Sequence, residues 1–403
     1  MLGETNCVAE LDLNLFTDEN LRAPFEAYRT IRDAGPVVRL PFSDVYAIGR
    51  FADVQTALRS SASLINGEGV GFSEEWNATR GTNVLQMDGR AHAKLRAVVM
   101  RPLAPSKLKE VRSELKRLVR ARISALVDAG WFDAMKDLAA FLPVEAVSHL
   151  VGLPEAGRER MLEWAGASFN MIGPNPNDAD IVATAGVRPF MASLTPETVK
   201  DGGWTDDLFK AVDAGRLTLA EATSAISAYV IPSLDTTILA KGHLLHDLAT
   251  HREQWDMVRA NPSKIPAAVS ESVRRNSVLR WFARVAVEEY GVDNVTVPKG
   301  ARVMLLYGCA NRDERRYREP DKFDIDRDAR DQLAWGTGTH MCAGVHLARL
   351  EMEVMLEALV EADVSLSSAP PTPGINRGLF GYTELPLRID RRGTQRTDQN
   401  TNG

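Results

Sequence analysis

A chain of 403 residues with 44% hydrophobic content holds enough apolar material for a large core, and its length alone permits one large domain or several ordinary ones. The formal charge of −6 excludes a protein that binds nucleic acid through a broadly basic surface, because neutralising phosphates requires an excess of Lys and Arg. Three cysteines, Cys7, Cys309 and Cys342, are too few and too scattered for a disulfide framework or a Cys-x-x-Cys metal site, so a reducing cytoplasm is expected.

Met1 to Asn14 carry no basic flank and no apolar run, so neither a secretion signal nor a membrane anchor is expected there. Pro36 to Leu40 and Val45 to Gly49 read as a short hairpin. Asn66 to Asp88 mixes Gly, Asn and Thr with Phe72, Trp76 and Leu85, which suits a long loop over a pocket. Between Pro105 and Thr250 the patterns are helical, and Leu108–Ala129 and Leu217–Leu248 place apolar residues at three- and four-residue spacing. Val295 to Val297 and Arg302 to Leu306 look like a second hairpin around Pro298, Lys299 and Gly300. No repeat or linker divides the chain. The reading is one mainly α unit with small β-sheets over residues 1–390, followed by a polar tail, 391–403, that is expected to be disordered.

The run from Leu333 to Arg349 carries the chemistry. Gly336 and Gly338 let the backbone turn tightly, and Gly344 removes a side chain at the start of a helix. Cys342 then presents its sulfur at a helix start, where amides and the helix dipole favour a thiolate. A lone cysteine is ordinarily an inert core residue, and Cys7 and Cys309 are left to that reading. The run around Cys342 resembles the haem-binding loop of the cytochrome P-450 family, Phe-Gly-x-Gly-x-His-x-Cys-x-Gly-x-x-Leu-Ala-Arg, with Trp335 in place of the aromatic. The resemblance implies haem b ligated by Cys342 as thiolate, which pushes electron density onto iron and favours O–O cleavage.

The resemblance extends to other positions. Glu271 and Arg274 form a Glu-x-x-Arg that by itself is an ordinary surface pair; with Arg327 the family pattern implies a buried network holding the cysteine loop. His92 and Arg96, one helical turn apart, together with Arg284 and His340, correspond to partners of the two haem propionates. Asp235 and Thr236 match the acid and alcohol of the family's proton-delivery element, where Pro232 and Ser233 replace the usual Ala and Gly. Pro232 disrupts the helix ladder and opens a groove there.

Pocket positions in the family correspond to Phe72 and Leu85 in the long loop, and to Phe169, Ile172 and Ala228 in the helical part. Leu279, Phe282 and Phe380 follow downstream. The mostly apolar lining suits a flat aromatic ligand. Phe169 to Pro174 and Pro232 to Thr237 are similar to the subgroup that oxidises para-substituted benzoic acids, commonly by removing a methyl from a methoxy group. Where that subgroup binds the carboxylate, this chain has Thr79, Thr82 and Ala228, with Arg80 one residue away. The expectation is therefore a neutral or phenolic para-substituted aromatic, O-demethylated or hydroxylated on an alkyl group, with a threonine or Asn170 as hydrogen-bond partner. A benzoate or terpenoid substrate remains an alternative, as does a peroxide-using or non-redox haem-thiolate enzyme. O2 is the co-substrate. Electrons are expected from a separate iron–sulfur ferredoxin with its NAD(P)H-dependent reductase, because the chain shows no flavin or nicotinamide domain. Arg90, Lys94 and Arg101 are the expected docking patch, and the chain is read as a monomer.

Overall fold

Amphipathic stripes in the middle of the chain become helices that bury one another, as a computed structural model shows for residues 8–155 and 160–392. Cys7 and the tail from 393 onwards lie outside the described residues. The helix Pro105–Leu126 opens with Pro at its first position, where a missing N–H costs nothing. Its Leu115, Val119, Ile123 and Leu126 face the core against the helix Val345–Glu361. Lys116 spans the two helices, 2.9 Å from Glu357 and 2.8 Å from Glu361.

The helical stripe over Leu217–Leu248, with its ladder disrupted at Pro232, forms two helices. Leu219–Val230 begins with a capping box between Thr218 and Glu221, and Asp235–Thr250 follows after a break at residues 231–234. Pro232 has no N–H to continue the ladder, and the Ser233 hydroxyl donates back to the carbonyl of Tyr229, with that of Val230 at 3.1 Å. Asp235–Thr250 is buried on most of its faces and runs through the centre of the core.

The first expected hairpin forms: Val38–Leu40 pairs antiparallel with Val45–Ile48. The second does not. Val295–Val297 pairs with Tyr290–Val292, while Arg302–Leu306 is inserted between Val45–Ile48 and Trp281–Ala286 in a six-stranded sheet. The turn still reverses the chain, with Ala301 N–H donating to Pro298 O at 3.1 Å, but the Gly300 N–H is taken by Ala286 O at 2.7 Å. Capture by the larger sheet decides the pairing, because all of Val303 to Leu306 is buried there. Among the described residues no helix is long and apolar enough to cross a membrane.

A buried ionic network fixes the platform beneath the Cys342 loop. Both Glu271 carboxylate oxygens accept from Arg274, at 2.7 and 2.9 Å, and Oε1 also accepts from Arg327 Nε at 3.0 Å. Arg274 donates onward to the carbonyls of Asn311 and Pro320, at 2.7 and 2.8 Å. Asn311 Oδ1 in turn receives the N–H of Leu333 at 2.7 Å, which pins the first residue of the cysteine run. Removing one partner leaves the others charged and dry. Glu271→Gln is expected to lower unfolding free energy by about 3–5 kcal/mol in urea titrations, against less than about 1 kcal/mol for Lys264→Met, which breaks an exposed pair with Asp326. Equal losses in the two variants would contradict the network's role.

Candidate active site

The cysteine run folds as a tight loop against the start of the helix Val345–Glu361. Gly336 and Gly338 hold φ of 66° and 74°, values that an L side chain rarely adopts. A Cβ at Gly338 would also lie 2.8 Å from the Leu58 carbonyl. The Cys342 N–H closes the loop on Trp335 O at 2.8 Å. At Gly344, φ is ordinary, and the nearest atom to an added Cβ is Cys342 Sγ at 4.0 Å. Burial pushes the Cys342 thiol up, while the amides of Gly344 and Val345 and the Arg96 guanidinium pull it down. Cys309 differs: it is fully buried, its thiol is pushed up to about 12, and it donates to Tyr28 O at 3.3 Å, which fits the inert reading.

Around Cys342 the structure gathers the four expected propionate partners. His92 and Arg96 lie on the helix Gly89–Met100. The His92 and His340 rings are 4.1 Å apart, and Arg96 donates to the carbonyl of Met341. Arg284 is buried in the strand Trp281–Ala286, donating to Ala283 O at 2.8 Å. Both His92 nitrogens and His340 Nε2 are buried without a hydrogen-bond partner among the described residues; His340 only approaches Asp88, at 3.5 Å. Burial, then Arg96, lowers the His92 pKa; burial, then the His92 and Arg284 charges, pushes His340 down to about 3. Neither Arg96 nor Arg284 has a carboxylate partner among the described residues. Two guanidiniums that lack an acid and two imidazoles with unsatisfied ring nitrogens would be satisfied by two carboxylates on one ring edge, so these residues fit haem.

Asp235 opens the second half of the broken helix. It lines a groove of about 580 Å³, which is open to solvent and also lined by Leu162, Asn376 and Leu379. An added Cβ at Gly166 would be 3.1 Å from Asp235 Oδ2. Burial raises the Asp235 pKa to about 7. Thr236 donates its hydroxyl proton to Pro232 O at 2.6 Å, across the break.

Of the expected walls, Phe72 and Ile172 meet just past the end of the helix Met161–Met171. Ile172 O accepts the Phe72 N–H at 2.8 Å, and the Phe72 ring packs 4.7 Å from Trp281. Leu279 forms a bridge with Leu379. The turn bearing Leu85 packs on the helix that carries Ala228. Phe282 meets Tyr307 edge-on at 6.4 Å. Phe380 departs from the expectation: its ring stacks on His243 at 5.0 Å and meets Phe25 at 5.6 Å. Neighbouring residues of extended chain point to opposite sides; with Leu379 turned to Leu279, Phe380 faces away.

The polar residues offered for a substrate are mostly occupied. Thr79 Oγ1 donates to Trp76 O and accepts from Gln86 Nε2, both at 2.8 Å, and Thr82 donates to Thr79 O at 2.6 Å. Asn170 gives Nδ2 to Asp180 at 3.2 Å and takes the Arg377 N–H on Oδ1 at 3.0 Å. Arg80 is exposed. Lys94 of the docking patch is bound to Glu221 at 2.5 Å, leaving Arg90 and Arg101 as its exposed cations. Sequence reasoning passed over a wholly buried pair, Lys241 and Glu351, 2.7 Å apart, that joins the central helix to the helix behind Cys342. Its only signal was a lysine inside an apolar stripe.

Residues 204–362 match the family model for Cytochrome P450. Over 393 residues the chain is 31% identical to Cytochrome p450 CYP199A2 of Rhodopseudomonas palustris, covering 95% of each. It is 30% identical over 395 residues to Putative cytochrome P450 123 of Mycobacterium bovis, covering 95% of this chain and 98% of that one. The structure of Cytochrome P450 CYP109Q5 from Chondromyces apiculatus, 25% identical, superposes with a TM-score of 0.81 over 96% of this chain and 99% of that one. With the similarity running through almost the whole length of both relatives, and with the thiol loop and acid-seeking cluster that the geometry reveals, the chain belongs to the cytochrome P450 family.

Proposed function

We propose that this P450-type, O2-dependent monooxygenase acts on a small para-substituted aromatic that is neutral or phenolic, removing the methyl of a methoxy group or hydroxylating an alkyl carbon. Haem b, when bound, supplies the redox chemistry by which one atom of O2 enters a C–H bond. In this reading Cys342 is the iron ligand, and His92, Arg96, Arg284 and His340 bind the propionates. Asp235 holds a proton on its carboxyl near neutral pH and meets solvent through the groove. Thr236 Oγ1 passes protons to the cavity side of the break, using the carbonyl of Pro232 as its resting partner. Phe72, Leu85, Phe169, Ile172, Ala228, Leu279 and Phe282 exclude water and orient the ring.

The observation that carries the substrate's charge is the state of the polar groups. On the Asn66–Asp88 loop, Gln86 Oε1 and Asn66 Oδ1 are buried acceptors without a partner among the described residues. An open acceptor receives a phenol O–H and repels a carboxylate, and Asn170 and Thr79, both occupied, offer the acid no compensation. Electrons come from a ferredoxin and its reductase, with Arg90 and Arg101 as its cationic contact.

Spin-state titrations with 4-methoxyphenol and 4-methoxybenzoate test the reading. The phenol should bind about tenfold more tightly, and Gln86→Leu should remove most of that margin. Tighter benzoate binding that is lost in Arg80→Ala would give the cavity the opposite charge preference.

For proton supply, Thr236→Ala should still consume reductant but release more peroxide per product, and an unchanged yield per electron would remove Thr236 from the path. Asp235 has a separate signature. Its folded value of about 7 exceeds the ordinary 3.8, so its contribution to stability is full below about pH 4 and is lost as pH rises through 7. Asp235→Asn should flatten that slope, on the order of 1–3 kcal/mol, in unfolding titrations at pH 5 and 8. An identical slope in the variant would mean that the carboxyl is ordinary.

A further inference from the structure

We propose that Arg377 is a positioning residue that sets the width of the substrate cavity, by clasping the turn that carries Leu379 to the end of the helix Met161–Met171. The proposal rests on the reading of that cavity as the substrate site.

The turn at residues 376–381 is rigid in itself. Asn376 Oδ1 accepts the N–H groups of Gly378 and Leu379, each at 2.9 Å, and its Nδ2 donates to Gly166 O at 3.1 Å. Arg280, nearly fully buried, donates its main-chain N–H to Gly378 O at 2.9 Å and its Nε to Leu379 O at 2.7 Å. Trp281 Nε1 donates to Arg377 O at 2.9 Å. With its carbonyls and amides satisfied, the turn moves as a body and Leu379 moves with it.

The clasp lies between that body and the helix end. Arg377 Nη1 is 3.2 Å from Asp180 Oδ2, with the two side chains 23% and 10% exposed. Asn170, near the end of Met161–Met171, completes the triangle through Asp180 Oδ1 and the Arg377 N–H. Asp180 itself belongs to the next helix, Asp178–Ala185, so the ion pair and the two hydrogen bonds of Asn170 together tie three segments. It is shielded enough to be worth more than a surface pair.

Glycines allow the approach. A Cβ on Gly378 would stand 2.7 Å from both Phe169 O and Ile172 Cδ1, and one on Gly173 would stand 2.5 Å from Arg377 Cβ. The helix and the turn therefore meet at backbone contact, and the same Ile172 carbonyl anchors Phe72. A change in this spacing moves Phe169 relative to the turn that carries Leu379 and to Leu279, bridged to it, and Phe169 and Leu279 are both walls of the cavity in the proposed reading. Arg377 is 23% exposed and its guanidinium is engaged by Asp180, so its influence runs through the wall it holds.

The test uses the haem-loaded protein and two azoles that bind iron from the cavity side, imidazole and 4-phenylimidazole, so it does not depend on the identity of the natural substrate. Arg377→Ala and Asp180→Asn should each weaken 4-phenylimidazole about tenfold while changing imidazole less than twofold. Arg377→Lys should recover part of the loss, and Gly378→Ala, which wedges the turn from the helix without touching the clasp, should act in the same direction. Equal weakening of both azoles in Arg377→Ala and Asp180→Asn, or no change in either, would overturn the proposal. If this discrimination holds but neither methoxy ligand above shifts the spin state, the reading of the substrate fails and the clasp stands.

Discussion

Cys342 stands where buried cationic and donor groups outnumber acids, and the surrounding structure depends on that imbalance. His92, His340, Arg96 and Arg284 come from three separate segments of the chain, and folding brings them to one edge of the same space, where Asp88, 3.5 Å from His340, is the one carboxylate paired with them among the described residues. Leaving such groups short of partners is costly. A ligand with two acids on one rim would offset that cost, and haem has that form. The tight glycine turn, the Trp335 carbonyl that receives the Cys342 N–H and the amides of Gly344 and Val345 hold Cys342 at the start of the helix that follows.

Two ionic ties hold this arrangement from behind. The Glu271, Arg274 and Arg327 network reaches the loop through Asn311 and Leu333. The buried Lys241 and Glu351 pair links the helix that begins at Asp235 to the helix that follows Cys342. Burial drives Lys241 down and Glu351 up, and each partner's charge opposes that shift. Through this pair the helix that follows the break at residues 231–234 and the helix that follows Cys342 keep a fixed relation.

What the sequence made legible follows the range of the interactions. The Cys342 run, Glu271 with Arg274, and the His92 and Arg96 spacing are local patterns whose geometry is set by a turn or one helical period: a glycine turn ahead of a helix, a buried i,i+3 ion pair, and two residues on one helix. The break at Pro232 was legible for the same reason. The second hairpin was misread because strand choice is settled by competition among distant strands: Arg302–Leu306 gains more burial between two strands than with its neighbour across the turn. Phe380 was misplaced because the direction of a side chain on a turn depends on Val278, Arg280 and His243, none of them near in sequence. Asn170 was offered as a ligand for substrate because its partners, Asp180 and Arg377, belong to a contact made only in the folded chain.

The central claim is that Cys342 holds haem iron as a thiolate in this cluster. The most direct measurement is the absorption spectrum of the reduced protein with carbon monoxide, compared with that of Cys342→Ala. The wild-type chain should give the red-shifted band characteristic of a thiolate ligand, and the variant should lose it while still retaining haem through the propionate partners. A thiolate-type band that survives in Cys342→Ala would contradict the account.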